Sequence, residues 1–484
     1  MVGIVSFGAY VPRLRLQRAA VVQAHQWFAP GLKAHGKGER AMANWDEDAI
    51  TMGVEAGRDA MPAEERRHLA TLVLASTSAP FSDRQNAGVI KEALNLRDDV
   101  LTLDVAGSQK AGTGALLLAL QAAADATGST LCIASERPRA RPGSEAELVN
   151  GDAAAALLLG KDPIARFVGS HSVSIDFVDH FRGHDAEFDY AWEARWTRDE
   201  GYIGIAGQAV RDTLAKLGLQ GEDIAHLIVA IPASGVGEAI AKTAKIPLAA
   251  LMPSLGPVLG HAGCAQPLVM LAKTLATAKP GDRILVLGFG QGCDALVFEA
   301  TDRIAHHRPR RGADGWLARR KPETNYMKFL AFSGLLELER GMRAEFDQKQ
   351  PLTALFRNRK TVLGLVGARD PVSGEVQFPP TSIRVGAETA AVTPREEYPL
   401  ADRPARVLTY TADNLTYTPD PPSCYGMIEF EGGGRMLAEF TDVDPTAVEV
   451  GLSMRMSFRI KAIDERRAFT KYFWKAAPSE EQSS

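Results

Sequence analysis

From the N-terminus to about residue 300, short apolar runs alternate with Ala- and Leu-rich segments of helical character. The runs VGIVSFG, ATLVLAST, STLCIASE, AAAALLLG, HLIVAIP, RILVLGFG and ALVFEA predict strands. Several are apolar throughout, as strands buried on both faces are. Strands alternating with helices predict an α/β layer architecture. The order of elements also repeats. Strand 71–76, turn and helix 107–122, strand 130–135 and strand 153–159 are echoed by strand 227–231, turn and helix 260–275, strand 283–288 and strand 294–299. The offset is about 155 residues for the first two elements and slightly less after them. This predicts a duplication with pseudo-repeats at about 1–165 and 166–300, forming a pair of sheets with helices between and outside them.

The pattern changes at Thr301. TDRIAHHRPRRGADGWLARRKPE is basic, punctuated by Pro and Gly, and weakly periodic. It reads as a linker or surface strap, its arginines either solvated or facing an acidic partner or a ligand phosphate. With the helical piece NYMKFLAFSGLLELERGM it makes a connecting region over 301–360. The short β-like runs beyond it, among them TVLGLVG, RVLTYTADNLTY, GMIEFEGGGRMLAEFTDV and LSMRMSFRIKAI, predict a small all-β barrel.

Composition narrows the function classes. A chain of 484 residues, 45% hydrophobic and 24% charged, has room for two or three domains with real cores. A net charge of −4 gives no reason to expect nucleic acid or an anionic membrane. The four cysteines, Cys132, Cys264, Cys293 and Cys424, form no CxxC pair and no disulfide framework, which fits a reduced, cytoplasmic setting. The opening MVGIVSFGAYVPRLRL reads as a first strand ending at Pro12, not as a signal peptide, and no run is apolar enough to span a bilayer.

The candidate chemistry centres on DVAGSQKAGTGALLLAL, residues 104–120. A Gly-rich turn entering a helix leaves backbone N–H groups unpaired, and the helix dipole adds positive character. That arrangement suits a nucleophile facing a thioester carbonyl or a developing oxyanion. The presenting residue, however, is Gln109, whose carboxamide cannot form a thioester. Small residues at 111, 112 and 114 allow a second helix or a ligand to approach closely. The turn GHAGCAQ is expected to face Gln109 across the pseudo-dyad, with His261 and Cys264 as a possible base and nucleophile. At the start of a helix, the dipole would lower the pKa of the Cys264 thiol; the alternative is that Cys264 only packs. The aromatic and charged segment 174–202 offers His180, Arg182 and Trp192 as pocket residues, or is a surface excursion packed by its own rings. GFGQGCD lacks the Lys of a phosphate-binding loop and runs into a strand.

KAGTGAL, NGDAAAALLLG and AKPGDRILVLGFGQGCDAL together resemble the 3-hydroxy-3-methylglutaryl-CoA synthase branch of the thiolase superfamily, over roughly residues 1–300. The resemblance implies a duplicated five-layer αβαβα thiolase fold and a coenzyme A thioester or β-keto acid as substrate. It also implies an oxyanion role for Gly288 or Gly290; Lys110, Arg182 and Trp192 are the candidate substrate-binding residues. In that branch the nucleophile is a Cys where this chain has Gln109. The general-base Glu falls at Thr77, and the catalytic His at Ala230 or Ile231. All three are replaced, so synthesis by the family mechanism is not expected.

GARDPVSGEVQFPP, YTADNLTY, PDPPSCYGMIEFEGGGRMLAEFTDVDP and VGLSMRMSFR resemble the acyl-CoA-associated OB-fold family with a rubredoxin-like zinc ribbon, over roughly 325–476. Members occur as partners of, or fusions to, thiolase-type enzymes. The first ribbon CxxC would fall at Asp370 and Ser373, and the second pair near TSIRVG, where there is no Cys. The expectation is a metal-free ribbon over 361–390 and an OB-fold domain over 391–476. Four readings follow. The chain is a subunit beside a separate thiolase; a decarboxylase that needs no nucleophile; a retro-aldol or retro-Claisen lyase using other residues; or an assembly protein that binds no acyl-CoA.

Overall fold

A computed structural model describes residues 1–125, 128–381, 383 and 395–479. They fall into two units, the first within 1–44, 48–88 and 97–336 and the second within 45–47, 89–96 and 337–479.

The first unit is organised by strands β1 (Val2–Tyr10), β2 (Leu69–Ala75), β3 (Leu101–Val105), β4 (Ser129–Glu136), β5 (Ala153–Lys161), β6 (Ala165–Ser174), β7 (His226–Val229), β8 (Arg283–Phe289) and β9 (Gly292–Ala300). They lie in the order β7-β8-β9-β6-β1-β5-β4-β2-β3. Two half-sheets meet at a two-residue antiparallel pairing, Gly3 opposite Arg166 and Ile4 opposite Ala165. Outward from that seam, β1-β5-β4-β2-β3 matches β6-β9-β8-β7, and the missing fifth strand survives as a parallel bridge between Leu227 and Leu251. Parallel and antiparallel senses recur in the same sequence in both halves. This is the duplication that the repeat predicts, in the thiolase fold that the resemblance implies.

The apolar runs became strands because both faces are covered: Ala153 to Gly160 of β5 are all buried. Two strands lie outside those runs. ARFVGSHSVS (β6) alternates with polar residues, and LTLDV (β3) is a part-exposed edge. Helix α1 (Ala111–Asp125) begins after the 107–110 turn, and helix α2 (Gln266–Leu275) begins after a 3-10 turn at Gly263–Ala265, with Pro267 in its first turn. They are equivalent central helices, and they approach closely. A Cβ on Gly112 would sit 2.0 Å from the Cys264 carbonyl oxygen, so only glycine fits there.

In the second unit, Val366–Arg369 pairs with Val376–Gln377 and with Glu396–Pro399. Asp370 closes the first hairpin: its Oδ1 accepts N–H bonds from Val372 and Ser373 at 2.8 and 3.1 Å. A carboxylate thus organises the turn at which the resemblance places a ribbon Cys. Of the second ribbon position, TSIRVG, only Thr381 and Ile383 are among the described residues. The barrel is built around Ser423–Phe430, whose alternating burial puts every second residue inside. This strand pairs with Ala405–Val407, Thr411–Asp413 and Arg435–Glu439. Ser453–Asp464 continues from Ala405–Val407 to Phe469–Pro478, and a bridge between Phe440 and Ala476 closes the circuit. Phe458 fills the interior between Tyr472 and Trp474.

Candidate functional site

Parallel strands put their carboxyl ends, and the turns that follow, at one edge of a sheet, where α/β proteins build their sites. Here β3 leads into the turn that carries Gln109. Ser108 Oγ accepts from the Lys110 N–H at 3.3 Å and donates to the Gly290 carbonyl at 3.0 Å, which clamps the turn to the loop between β8 and β9. A Cβ on Gly290 would stand 2.5 Å from Ser108 Oγ and 3.0 Å from the Gln109 nitrogen. A Cβ on Gly288 would stand 2.3 Å from Thr113 Oγ1. Both glycines are therefore needed for packing. The oxyanion expectation is corrected for Gly290, whose N–H donates to the Gly292 carbonyl at 2.9 Å; Gly288 lies in the β8–β9 ladder opposite Asp294. Lys110 turns toward Asp294 and Ser174, with Nζ 3.6 and 3.4 Å from their oxygens.

The Gln109 amide points inward. Its Oε1 is buried without a hydrogen-bond partner. A Cβ on Gly263 would stand 2.8 Å from that oxygen and 3.0 Å from Oε2 of Glu136, so the amide and the carboxyl group converge on the GHAGCAQ turn from the other repeat. Glu136 was not singled out from sequence. The available signal was an acidic residue closing the apolar run STLCIASE, at the carboxyl end of a central strand. Its Oε1 accepts from Ser76 Oγ at 3.0 Å and from the Thr77 N–H, and its Oε2 accepts from Thr77 Oγ1 at 2.9 Å. Burial pushes the carboxyl pKa up against these bonds and favours the neutral acid.

Cys264 Sγ lies 3.5 Å from Glu136 Oε1 in a fully buried position. Burial first, and the neighbouring carboxyl group second, hold its pKa well above the ordinary thiol range. The expected dipole-activated thiolate is thereby corrected, because desolvation outweighs the turn's partial charge. His261 is partly buried, and its Nε2 sits 3.2 Å from the Ala230 carbonyl. Desolvation lowers its pKa to about 4, so it is neutral at physiological pH. His180 behaves oppositely. Burial opposes its charge, but Asp179, 3.1 Å from Nδ1, raises the pKa above 6.5.

The 174–202 segment reaches this site. Arg182 donates to the Thr77 carbonyl at 2.6 Å and pairs with Asp189 at 3.2 Å, and the charge of His180 is felt at His261. Trp192 lines a cavity formed within this segment. In space, then, a carboxyl group bonds Thr77 and an imidazole bonds Ala230. These are the positions at which the resemblance to the synthase branch implies a Glu (Thr77) and, as one of two candidates, a His (Ala230). Sequence spacing places no such group nearby; the groups come from β4 and from the turn before α2. Among the described residues, no group of three or more His, Cys, Asp or Glu could hold a metal ion, and no helix is long and apolar enough to cross a membrane.

Comparison with known proteins agrees with this architecture. The family described as "ChsH2, C-terminal OB-fold domain" matches residues 398–459. The hydroxymethylglutaryl-CoA synthase of Thermococcus sibiricus is 30% identical over 320 residues, covering 63% of this chain and 89% of the relative. That of Pyrococcus furiosus is 30% identical over 308 residues, covering 61% and 85%. An HMG-CoA synthase solved in complex with CoA superposes with a TM-score of 0.60 at 18% identity, over 72% of this chain and 95% of the other. The 3-oxoacyl-(acyl carrier protein) synthase III of Pseudomonas aeruginosa gives 0.55 at 16% identity, over 62% and 98%. With 30% identity across most of a synthase's length, and the duplicated sheet to match, this chain belongs to the hydroxymethylglutaryl-CoA synthase family of thiolase-fold proteins and carries an OB-fold domain behind it.

Proposed function

We propose that this chain binds CoA thioesters and serves acyl-CoA C–C bond formation or cleavage without forming an acyl-enzyme of its own, in complex with a separate thiolase-type subunit that carries the nucleophile. The observation that carries the reading is the inward-facing Gln109 on an intact nucleophile platform. Neither neighbour replaces the lost thiolate: Cys264 is held as the thiol and bonded to Glu136, and His261 is neutral and bonded to Ala230. The edge of the sheet supports a partner. β3 lies outermost, Leu101 and Leu103 are 55% and 40% exposed, and the strand runs straight into the Gln109 turn. An unpaired strand edge with exposed leucines is a template for another chain. A chain paired there would bring its own groups beside this site.

The test is co-expression with a thiolase-type chain that has intact Cys and His. Exposed to acyl-CoA, the complex is expected to show the acyl mass on the partner and none on this chain. An acyl adduct on this chain would overturn the reading. Absence of CoA-dependent protection of 104–120 in hydrogen exchange would leave only an assembly role.

The Gln109–Glu136 juxtaposition favours one second reading, a stand-alone lyase on β-keto or β-hydroxy acyl substrates. For a β-keto acid, the C–C bond to the carboxylate breaks and CO₂ leaves. The electron pair passes into the ketone enolate, the Gln109 amide N–H donates to its oxygen, and the Glu136 carboxyl group, whose protonated form burial favours, returns a proton to carbon. This reading requires turnover by the chain alone that is lost in Gln109→Ala and Glu136→Gln. Silence across aliphatic and aryl β-keto substrates would dispose of it.

A further inference from the structure

The 174–202 segment holds itself in one arrangement. His180–Phe181 pairs with Tyr190–Ala191 as a short ribbon, and the Trp192 N–H donates to the Asp179 carbonyl at 3.0 Å. Phe177 stacks on Trp196 with centroids 4.3 Å apart and meets Phe289, at the end of β8, edge-on at 6.2 Å. Tyr202 meets Phe289 edge-on at 4.9 Å and donates to Asp179 at 3.1 Å. The segment is therefore rooted in the core of the second repeat.

Above that root lies a cavity of about 290 Å³, lined by Val178, His180, Phe181, Tyr190, Trp192 and Trp196. Every lining residue except Val178 carries a ring. Phe181, Tyr190 and Trp192 are 54%, 56% and 60% exposed, although neighbouring rings on the same segment are packed. Such a group of open rings around one hollow marks a binding surface. The volume is at the low end of ligand pockets, about 300–1,000 Å³, and so suits one end of a ligand, not a whole CoA thioester. The contents are constrained as well. Flat π faces at ring-to-ring spacings of 5.6 Å (Phe181–Tyr190) and 6.4 Å (Tyr190–Trp192) favour a planar ring, which stacks or meets them edge-on. A two-carbon acyl group would leave most of the hollow unfilled. His180 is the polar exception. Asp179 holds its Nδ1, which leaves Nε2 as the imidazole's second polar atom. Arg182, next to the lining residue Phe181, ties the segment to the candidate site through its bond to Thr77.

We infer that this cavity receives the acyl end of the substrate, and that this end is an aromatic ring: the chain is built for aryl-acyl thioesters, not for acetyl or other short aliphatic ones. The inference rests on the CoA-thioester reading above and names its substrate class.

The full chain should be titrated calorimetrically with phenylacetyl-CoA, acetyl-CoA, free CoA and the N-acetylcysteamine thioester of phenylacetate. Burial of the ring is expected to make phenylacetyl-CoA bind roughly tenfold or more tighter than acetyl-CoA. Trp192→Ala and, independently, Phe181→Ala should shrink that preference to about twofold or less while free CoA binds as before; Trp192→Phe should retain most of it. Equal affinity for the two CoA thioesters, or equal weakening of all ligands by both variants, overturns the aryl assignment while the CoA reading stands. If no CoA compound binds but the short aryl thioester does, the CoA reading falls and the aryl cavity stands. No binding of the short thioester either overturns both.

Discussion

At the residue scale, the site is decided by desolvation acting on neighbouring groups in opposite ways. His261 has its pKa lowered to about 4 by burial, whereas the carboxylate of Asp179 raises that of His180 despite burial. Ring-proton NMR should therefore find these two histidines titrating on opposite sides of 6.5; coincident titration near 6.5 would refute the packing around both. Neutral His261 also contributes stability that is present above its ordinary range and is lost as pH falls toward about 4. Glu136 works with the reverse sign. Its carboxyl pKa is raised on folding, so its contribution is fully present below the ordinary value of 4.5 and fades as pH rises through the folded value. Glu136→Gln removes the charge and should keep that contribution. The melting-temperature gap between variant and wild type should thus widen in the variant's favour as pH is raised from 4.5. A gap independent of pH would mean that Glu136 is not desolvated. Glu136 was illegible in the sequence for a physical reason. One acidic residue after an apolar run says nothing until Ser76, Thr77, Gly263 and Cys264, from two distant segments, close around it.

At the element scale, the two central helices show what glycines do here. In KAGTGAL the sequence announces a close approach but not which glycine meets it. Gly112 faces the Cys264 carbonyl at 2.0 Å from a would-be Cβ, whereas Gly114 has nothing within 4 Å. Gly112→Ala should destabilise the first unit by about 1–3 kcal/mol or more, because backbone must move. Gly114→Ala should be neutral or stabilise by about 0.5–1 kcal/mol, since alanine is the better helix former. Denaturant melts of the two variants settle the assignment, and similar behaviour would contradict it. The apolar strands were legible because burial on both faces demands continuous apolar sequence. β6 was not, because its partly exposed alternation resembles a loop until β9 lies along it. β3 was not, because an edge strand needs less apolar surface.

At the scale of the whole molecule, the second unit gathers residues from distant stretches of chain. Asp46 and Glu47 belong to it and meet Arg459, whose guanidinium lies 3.4 and 2.5 Å from their oxygens and 2.8 Å from that of Asp442; Lys475 reaches Asp46 at 3.0 Å. All these charges are buried. Arg459→Ala would strand the carboxylates, and should cost about 3–5 kcal/mol, read as an earlier unfolding transition of the full chain. An unchanged transition would mean that the cluster is solvated. Nothing in the spacing of residues 45–47 and 459 pairs them, because the two stretches are joined only by folding. The sequence by itself determined the duplicated α/β unit and the β barrel behind it, since apolar periodicity and repeat order are properties of the chain. It also determined that residue 109 is no nucleophile, since a carboxamide cannot do that chemistry in any fold. Only the tertiary structure decided that a carboxyl group and an imidazole stand beside Thr77 and Ala230 after all, and that Cys264 is a buried thiol. Proximity and desolvation are set by which segments pack together, and no local pattern encodes them.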